Sequence, residues 1–334
     1  MYTIINNPPI DSVTEDSFFN FEYSPEIQGH SEEFFRKIIL SENGFLLIPP
    51  IVIENNGKYE VVVGKEPLKF VYERYGSVPQ LLLIAGISDR KKLFRIVLRL
   101  KTFLYGLNPV EKALVLKKAI DLEEEPPRDI LNILEIPEKP KIIELYLKIN
   151  ETSERFKRAI ASGVIDPQTA FRIFLFPVAM WDYISEFVKG LKIGTKHKNR
   201  LLEMIYDISR RDGTSPVSLI NSKEVKMILD SEIDPPQKAQ KIFMLFEKLR
   251  YPTIYRYRES FGKEIKKIGL KDGVDFSYDP TFEKRDFKIT FSFSSIEDFR
   301  NKIERLSKIL NNERLKIMLE DMPDIHSNKD SGKK

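Results

Sequence analysis

Two runs of basic side chains could hold a polyanion. Residues 90–101 contain Arg90, Lys91, Lys92, Arg95, Arg99 and Lys101 with no acid among them, and residues 189–200 contain Lys189, Lys192, Lys196, Lys198 and Arg200, again with none. Dense charge of one sign attracts phosphate-rich partners and releases their counterions. The plainer alternative for each run is a solvated, lysine-rich helix face. Residues 11–60 have the opposite character, with ten acids against three bases, a net of −7. The whole-chain charge of +4 is too small to diagnose nucleic-acid binding by itself, so its distribution carries the signal.

Catalytic chemistry has little to work with. Cysteine is absent, which removes disulfide scaffolds, thiolate metal sites and cysteine nucleophiles. The only histidines, His30, His197 and His326, are far apart in sequence. No phosphate-binding glycine loop, dinucleotide fingerprint, serine-hydrolase elbow or zinc-protease motif occurs. Asp121, Glu123, Glu124 and Glu125 cluster ahead of Pro126-Pro127 and read as a solvated acidic linker; Asp11, Glu15 and Asp16 have no better claim as metal ligands. No catalytic residue, metal ligand or cofactor is therefore expected, and the chain is read as a non-enzyme.

Length and pattern give the elements that must carry the basic groups. A chain of 334 residues suggests two or three domains, and 42% hydrophobic against 31% charged residues suits packed cores. No apolar run reaches membrane-spanning length, and the N-terminal stretch lacks a basic start and an apolar centre, so a cytoplasmic protein without a membrane partner is expected.

Four regions are expected. Residues 1–100 mix a helix over Ser31–Asn43, a hairpin of Ile51–Ile53 and Tyr59–Val63 around Asn56-Gly57, a helix over Leu68–Tyr75 and a strand over Val78–Ile84. Residues 101–245 read as a series of mostly short helices, with the EEEPP segment breaking the helix over Val110–Leu122. Residues 246–320 read as a small α+β domain. There Phe287, Ile289, Phe291 and Phe293 alternate on one strand face, Val274–Tyr278 is the partner strand, and Ser295 with Asp298 caps the following helix. Residues 321–334 form a polar tail with the composition of a disordered terminus. The class is α+β, multi-domain and mostly helical.

Three segments, in order, then point to a family. PPIVIENNGKYEVVVGKEPLKFVYERYG, from Pro49 to Gly76 and followed by Pro79, is similar to the strand–hairpin–strand–helix run of ParB N-terminal domains. GLNPVEKALVLKKAIDL is similar to the Leu-x-Pro-x-Glu-x-Ala helix that opens that family's helical DNA-binding region. RAIASGVIDPQTAFRIF is similar to the glycine-then-helix segment beyond its helix-turn-helix. Over roughly residues 5–180 the ordered set resembles the ParB partition family. The resemblance implies a DNA-binding, dimer-forming partition or chromosome-organising protein that works with a ParA-type ATPase and dimerises through its C-terminal domain. Many members bind and hydrolyse CTP in the N-terminal domain. That domain shares its fold with sulfiredoxin, whose catalytic cysteine is missing here.

The departures from the pattern shape the expectation. Gly64 stands where the family carries Gly-Glu-Arg-Arg, but Glu66 and Pro67 fill both arginine positions. A carboxylate repels a triphosphate and proline offers no side-chain donor, so the CTP motif is degraded, with Lys65 and Lys69 as the nearest cations. Arg128–Leu134 is the expected first helix of the helix-turn-helix, and Glu138–Ile149 its recognition helix. The latter offers Lys139, Lys141 and Lys148 to phosphates, opposed by Glu138 and Glu144, and few base-reading side chains. Arg155, Lys157 and Arg158 on one helix, and Lys196, Lys198 and Arg200 opening another, complete the candidate DNA contacts. Such groups hold phosphates and carry no sequence information. Two readings follow: a ParB-like protein that binds DNA mainly through phosphates, or a non-enzymatic interaction or regulatory protein that retains the architecture without strong DNA binding.

Overall fold

The computed structural model describes residues 2–15, 17–23, 46–268, 274–279, 287–310, 313 and 316. The expected helix over Ser31–Asn43 and the expected tail over 321–334 lie outside the described residues. The chain divides into two compact units, Met1–Gln240 and Lys241–Lys334.

The first unit begins with a five-stranded mixed sheet made of β1 (Tyr2–Ile5), β2 (Val13–Thr14), β3 (Ile51–Asn55), β4 (Lys58–Val63) and β5 (Leu81–Ile84), in the order β1-β5-β3-β4-β2. The β3–β4 hairpin turns at Asn56 and Gly57, both at positive φ (52° and 77°), the backbone that an Asn-Gly pair adopts at least cost. After β4 the chain enters α1 (Lys65–Tyr75) and returns as β5 parallel to β3, with Ile51 opposite Leu82 and Ile53 opposite Ile84. The alternation of β3 and β4 splits their side chains between two layers. Val52, Val61 and Leu83 pack with Leu68 of α1 on one face. Ile51, Ile53, Val62 and Ile84 face the helices that follow.

The helices after the sheet are α2 (Arg90–Tyr105), α3 (Pro109–Glu123), α4 (Arg128–Leu134), α5 (Pro140–Ile149), α6 (Glu154–Ala161), α7 (Pro167–Ile173), α8 (Trp181–Gly190), α9 (Thr195–Asp212), α10 (Pro216–Ile220), α11 (Lys223–Asp230) and α12 (Pro235–Arg250), the last running through the division between the units at Gln240. The expected domain boundary at 100/101 falls inside α2. One core cluster joins sheet residues to Leu93, Phe94, Val97 and Leu98 of α2, Val115 and Leu116 of α3, and Ile130 and Leu134 of α4. Helix α3 starts where the sequence signals it: Asn108 caps Val110 and Glu111 while the Glu111 carboxylate accepts from the Asn108 amide, and Pro109 is the first helical residue. Arg95 of α2 binds Glu123 of α3 and Asp129 of α4 together, so the acidic EEEPP region is anchored through Glu123. Trp181 is buried against Phe174, with ring centroids 4.6 Å apart, and its Nε1 donates to the Phe176 carbonyl at 2.8 Å.

The second unit contains α13 (Pro252–Ile268), the antiparallel hairpin β6 (Val274–Tyr278) and β7 (Phe287–Phe291), and α14 (Ile296–Leu310). The Ser295 hydroxyl accepts from the Asp298 amide as a cap, and the Asp298 carboxylate reaches back to the Ser294 amide. The expected buried strand face is only partly covered. Phe261 of α13 packs on Phe276, Tyr278 and Phe287, and Phe299 of α14 packs on Phe291 and Phe293. Ile289 stays 43% exposed and Phe293 58% exposed, because a two-stranded sheet gives each side chain few neighbours.

Candidate nucleic-acid interface

A helix, α5 from Pro140 to Ile149, is present where the recognition helix is expected over Glu138–Ile149. Its inner side, Ile142, Ile143, Tyr146 and Leu147, packs on the shared core, and Ile149 is fully buried. The chain leaves α4 through Glu135 at φ 55°, runs over buried Ile136, and enters α5 at Pro140 with Lys139 at the cap position. The outer end therefore presents Lys139 and Lys141, both exposed. Lys148 is half-buried and paired: its ammonium meets the Glu144 carboxylate at 2.7 Å, which holds the Glu144 carboxyl below its usual range.

The other candidate contacts differ in availability. Arg155 is exposed but donates to Glu186 of α8 at 2.7 Å. Lys157 pairs with Glu154 at 3.0 Å, and exposed Arg158 lies beside Tyr23 and Glu154. Lys196 and Arg200 are exposed in the first turns of α9. Lys198 between them is buried, and its ammonium donates to the Val164 carbonyl at 2.7 Å. Its place on α9 explains this, since it lies one helical turn before Leu201 and Leu202, on the side that packs against α7. Helices α5 and α6 both pack on α3, so the structure brings those two groups into one neighbourhood, whereas α9 has α7 and α10 for neighbours.

A charged cluster that sequence reasoning missed sits at the start of α1. Gly64 caps that helix at φ 89° and no side chain of its own first turn caps it. Instead the Glu22 carboxylate accepts from the Gly64 amide at 2.8 Å and the Lys65 amide at 2.7 Å. The helix dipole makes this end favourable for an anion. The site also needs glycine: a Cβ on Gly64 would lie 3.1 Å from the Pro50 Cα, in a backbone region that side chains resist. Beside Glu22, the buried Lys101 ammonium stands 3.2 Å from Glu111 and 4.0 Å from Glu22, 5.2 Å from the centre of the Tyr105 ring. Burial pushes the Glu22 carboxyl above its usual range, with Lys101 and the two amides opposing that shift. Burial and the nearby Glu22 push the Tyr105 hydroxyl up to about 12.

Lys101, counted by sequence among the basic stripe, is thus an interior charge. The signal was its position: Leu93, Phe94, Val97, Leu98 and Lys101 form one buried helical face. Around the same helix end, Lys65 pairs with Glu15 at 2.9 Å and Lys69 with Glu73 at 4.0 Å, while Pro67 is buried and Glu66 half-buried.

No family model and no curated protein matches the sequence. Among solved structures, the chain is similar to ParB. A C-terminally truncated chromosome-partitioning protein ParB from Caulobacter crescentus, complexed to the centromeric parS site, superposes with a TM-score of 0.33 at 14% identity, over 60% of this chain and 99% of that one. The truncated ParB complexed with CTP-γ-S superposes with a TM-score of 0.22 at 16% identity, over 55% and 98%. Both superpositions are loose.

Proposed function

We propose that this chain is a ParB-like DNA-binding protein of chromosome or plasmid maintenance, holding duplex DNA mainly by its phosphates. The observation that carries the reading is the exposure of Lys139 and Lys141 at the start of α5, with Lys196 at the start of α9. Lys139 and Lys196 form no ion pair among the described residues. Three sequence segments that resemble the ParB family, in the family's order, give it context. The reading includes a second copy and a ParA-type ATPase as partners, and assigns the chain no catalytic step.

The expected result is affinity without sequence preference. Anisotropy titrations of random duplex should show a log–log salt slope near −2.7, roughly three phosphates at about 0.9 each, hence about a fortyfold loss between 50 and 200 mM salt. Lys139→Ala and Lys196→Ala should each reduce that slope and weaken all sequences alike. One preferred operator, with discrimination lost on changing Lys139 or Lys141, would contradict the phosphate reading. A second reading, an interaction protein without strong DNA binding, is favoured by the intramolecular surface ion pairs of Lys148, Arg155 and Lys157. A flat titration at low salt would select it.

The same proposal treats the nucleotide motif as closed. With Glu66 and Pro67 in place of donors, and a carboxylate already at the Gly64 and Lys65 amides, CTP with magnesium should give no saturable heat in calorimetry. Micromolar binding would refute this part and leave the DNA part standing.

A further inference from the structure

Residues 17–23 run as a strap across five elements of the first unit. The Ser17 hydroxyl donates to Glu60 of β4 at 2.8 Å. The Lys118 ammonium of α3 donates to the carbonyls of Phe18 and Asn20 at 2.7 and 2.8 Å. Phe21 is fully buried, edge-on to Phe94 of α2 with centroids 4.8 Å apart. The Glu22 carboxylate closes the start of α1. The Tyr23 amide donates to Glu111 and its carbonyl accepts from Asn108, both at the cap of α3, while its hydroxyl donates to Glu154 of α6 at 3.1 Å.

We propose that this strap is a built-in lock that fastens the sheet layer and α1 to helices α2, α3 and α6, with the Glu22 carboxylate as the bolt in the end of α1. Charge and geometry make it two-state. Docked, Glu22 satisfies two amides at a positive helix end and faces the Lys101 ammonium. Lifted, it leaves the Gly64 and Lys65 amides without their acceptor and Lys101 without its second carboxylate at the same moment. Lys101 and Glu111 remain a balanced pair 3.2 Å apart without Glu22, so removing the bolt leaves no uncompensated charge in the interior. The lock is independent of the DNA reading, since it involves none of the exposed lysines.

Hydrogen exchange read by mass spectrometry on the full chain tests it. Glu22→Ala should raise exchange about tenfold in residues 17–23 and 64–68, the change expected from losing charge-assisted bonds to two amides. Exchange in α9 should stay as in the wild type. Glu22→Gln, which keeps one acceptor, should fall between. Lys118→Met removes the strap's carbonyl partner at its other end and should give the same regional pattern, which covers the case of a Glu22→Ala chain that fails to fold. Unchanged exchange in both segments would overturn the lock. So would an equal rise in α9, which would make the strap ordinary packing that unfolds with everything else.

Discussion

Lys101→Met is expected to destabilise the protein by about 3–5 kcal/mol, the usual result of removing one partner from a buried ion pair. Methionine keeps the length and apolar body of the side chain, so the loss is of charge rather than volume. What remains is two carboxylates, Glu22 and Glu111, both nearly sequestered from solvent at 6% and 5% side-chain exposure. Glu111 cannot turn away, because it closes the α3 capping box and accepts from the Tyr23 amide. A melting temperature lower by about 10 °C is the direct readout for a unit of this size. Adding Glu22→Gln to Lys101→Met should recover part of the loss, and the double-mutant cycle gives the coupling. An additive pair would show Lys101 and Glu22 to be uncoupled, and a Lys101→Met chain as stable as the wild type would show the ammonium to be irrelevant.

Titration supplies a second readout of the same cluster. The groups facing Glu22 are the amides of Gly64 and Lys65, the Lys101 ammonium, the Glu111 carboxylate and the Tyr105 ring. Because burial raises its pKa, the folded chain takes up a proton at Glu22 more readily than the unfolded chain. The stability from this group is fully present below the ordinary carboxylate range and is lost as pH rises through the folded value. The stability difference between the wild type and Glu22→Gln should therefore move against the wild type from mildly acidic to neutral pH. A difference that moves the other way would mean that the ion pair and the amides outweigh burial.

Local chemistry made much of this legible in the sequence. Asn56-Gly57 announces its hairpin because both residues tolerate positive φ, and Asn108-Pro109 with Glu111 announces the start of α3 because each satisfies a helix-end need. Strand β1 was invisible because its evidence lies elsewhere in the chain: Tyr2 pairs with Ile84 and Ile5 with Leu81, and its own side chains are mostly exposed. Lys101 and Lys198 misled for a common reason. Each sits in a run rich in basic residues, yet occupies the apolar side of its helix, where the ammonium finds Glu111 or the Val164 carbonyl. A charge count ignores the helical period, and the period decided both cases. The Glu22 site needed a partner 42 residues away, which no local pattern specifies.

Ending the chain at Arg250 is expected to turn a dimer into a monomer while the first unit stays folded. The second unit displays more apolar surface than a small solvated module needs. Ile289 and Phe293 from β7 and its exit, with Ile296, Phe299 and Ile303 from α14, are 39–80% exposed. The three on α14 follow one another at i, i+3 and i+7, so they form a single face of that helix. Association buries only the exposed part of each side chain, on the order of 1 kcal/mol apiece, and that gain must exceed the entropy lost when two chains join. In the proposed dimer, a two-fold axis would bring the same face of a second chain against these residues. Phe293→Asp would then force an unpaired charge into the interface from each copy, and a cost of about 3 kcal/mol per charge weakens association by about four orders of magnitude. The same change on a surface that stays wet would do almost nothing, since Phe293 is 58% exposed in the single chain. Light scattering of full-length, truncated and Phe293→Asp chains at tens of micromolar, about ten times above a low-micromolar Kd, distinguishes these outcomes. A full-length monomer there would refute the dimer and leave the second unit as a self-contained cap.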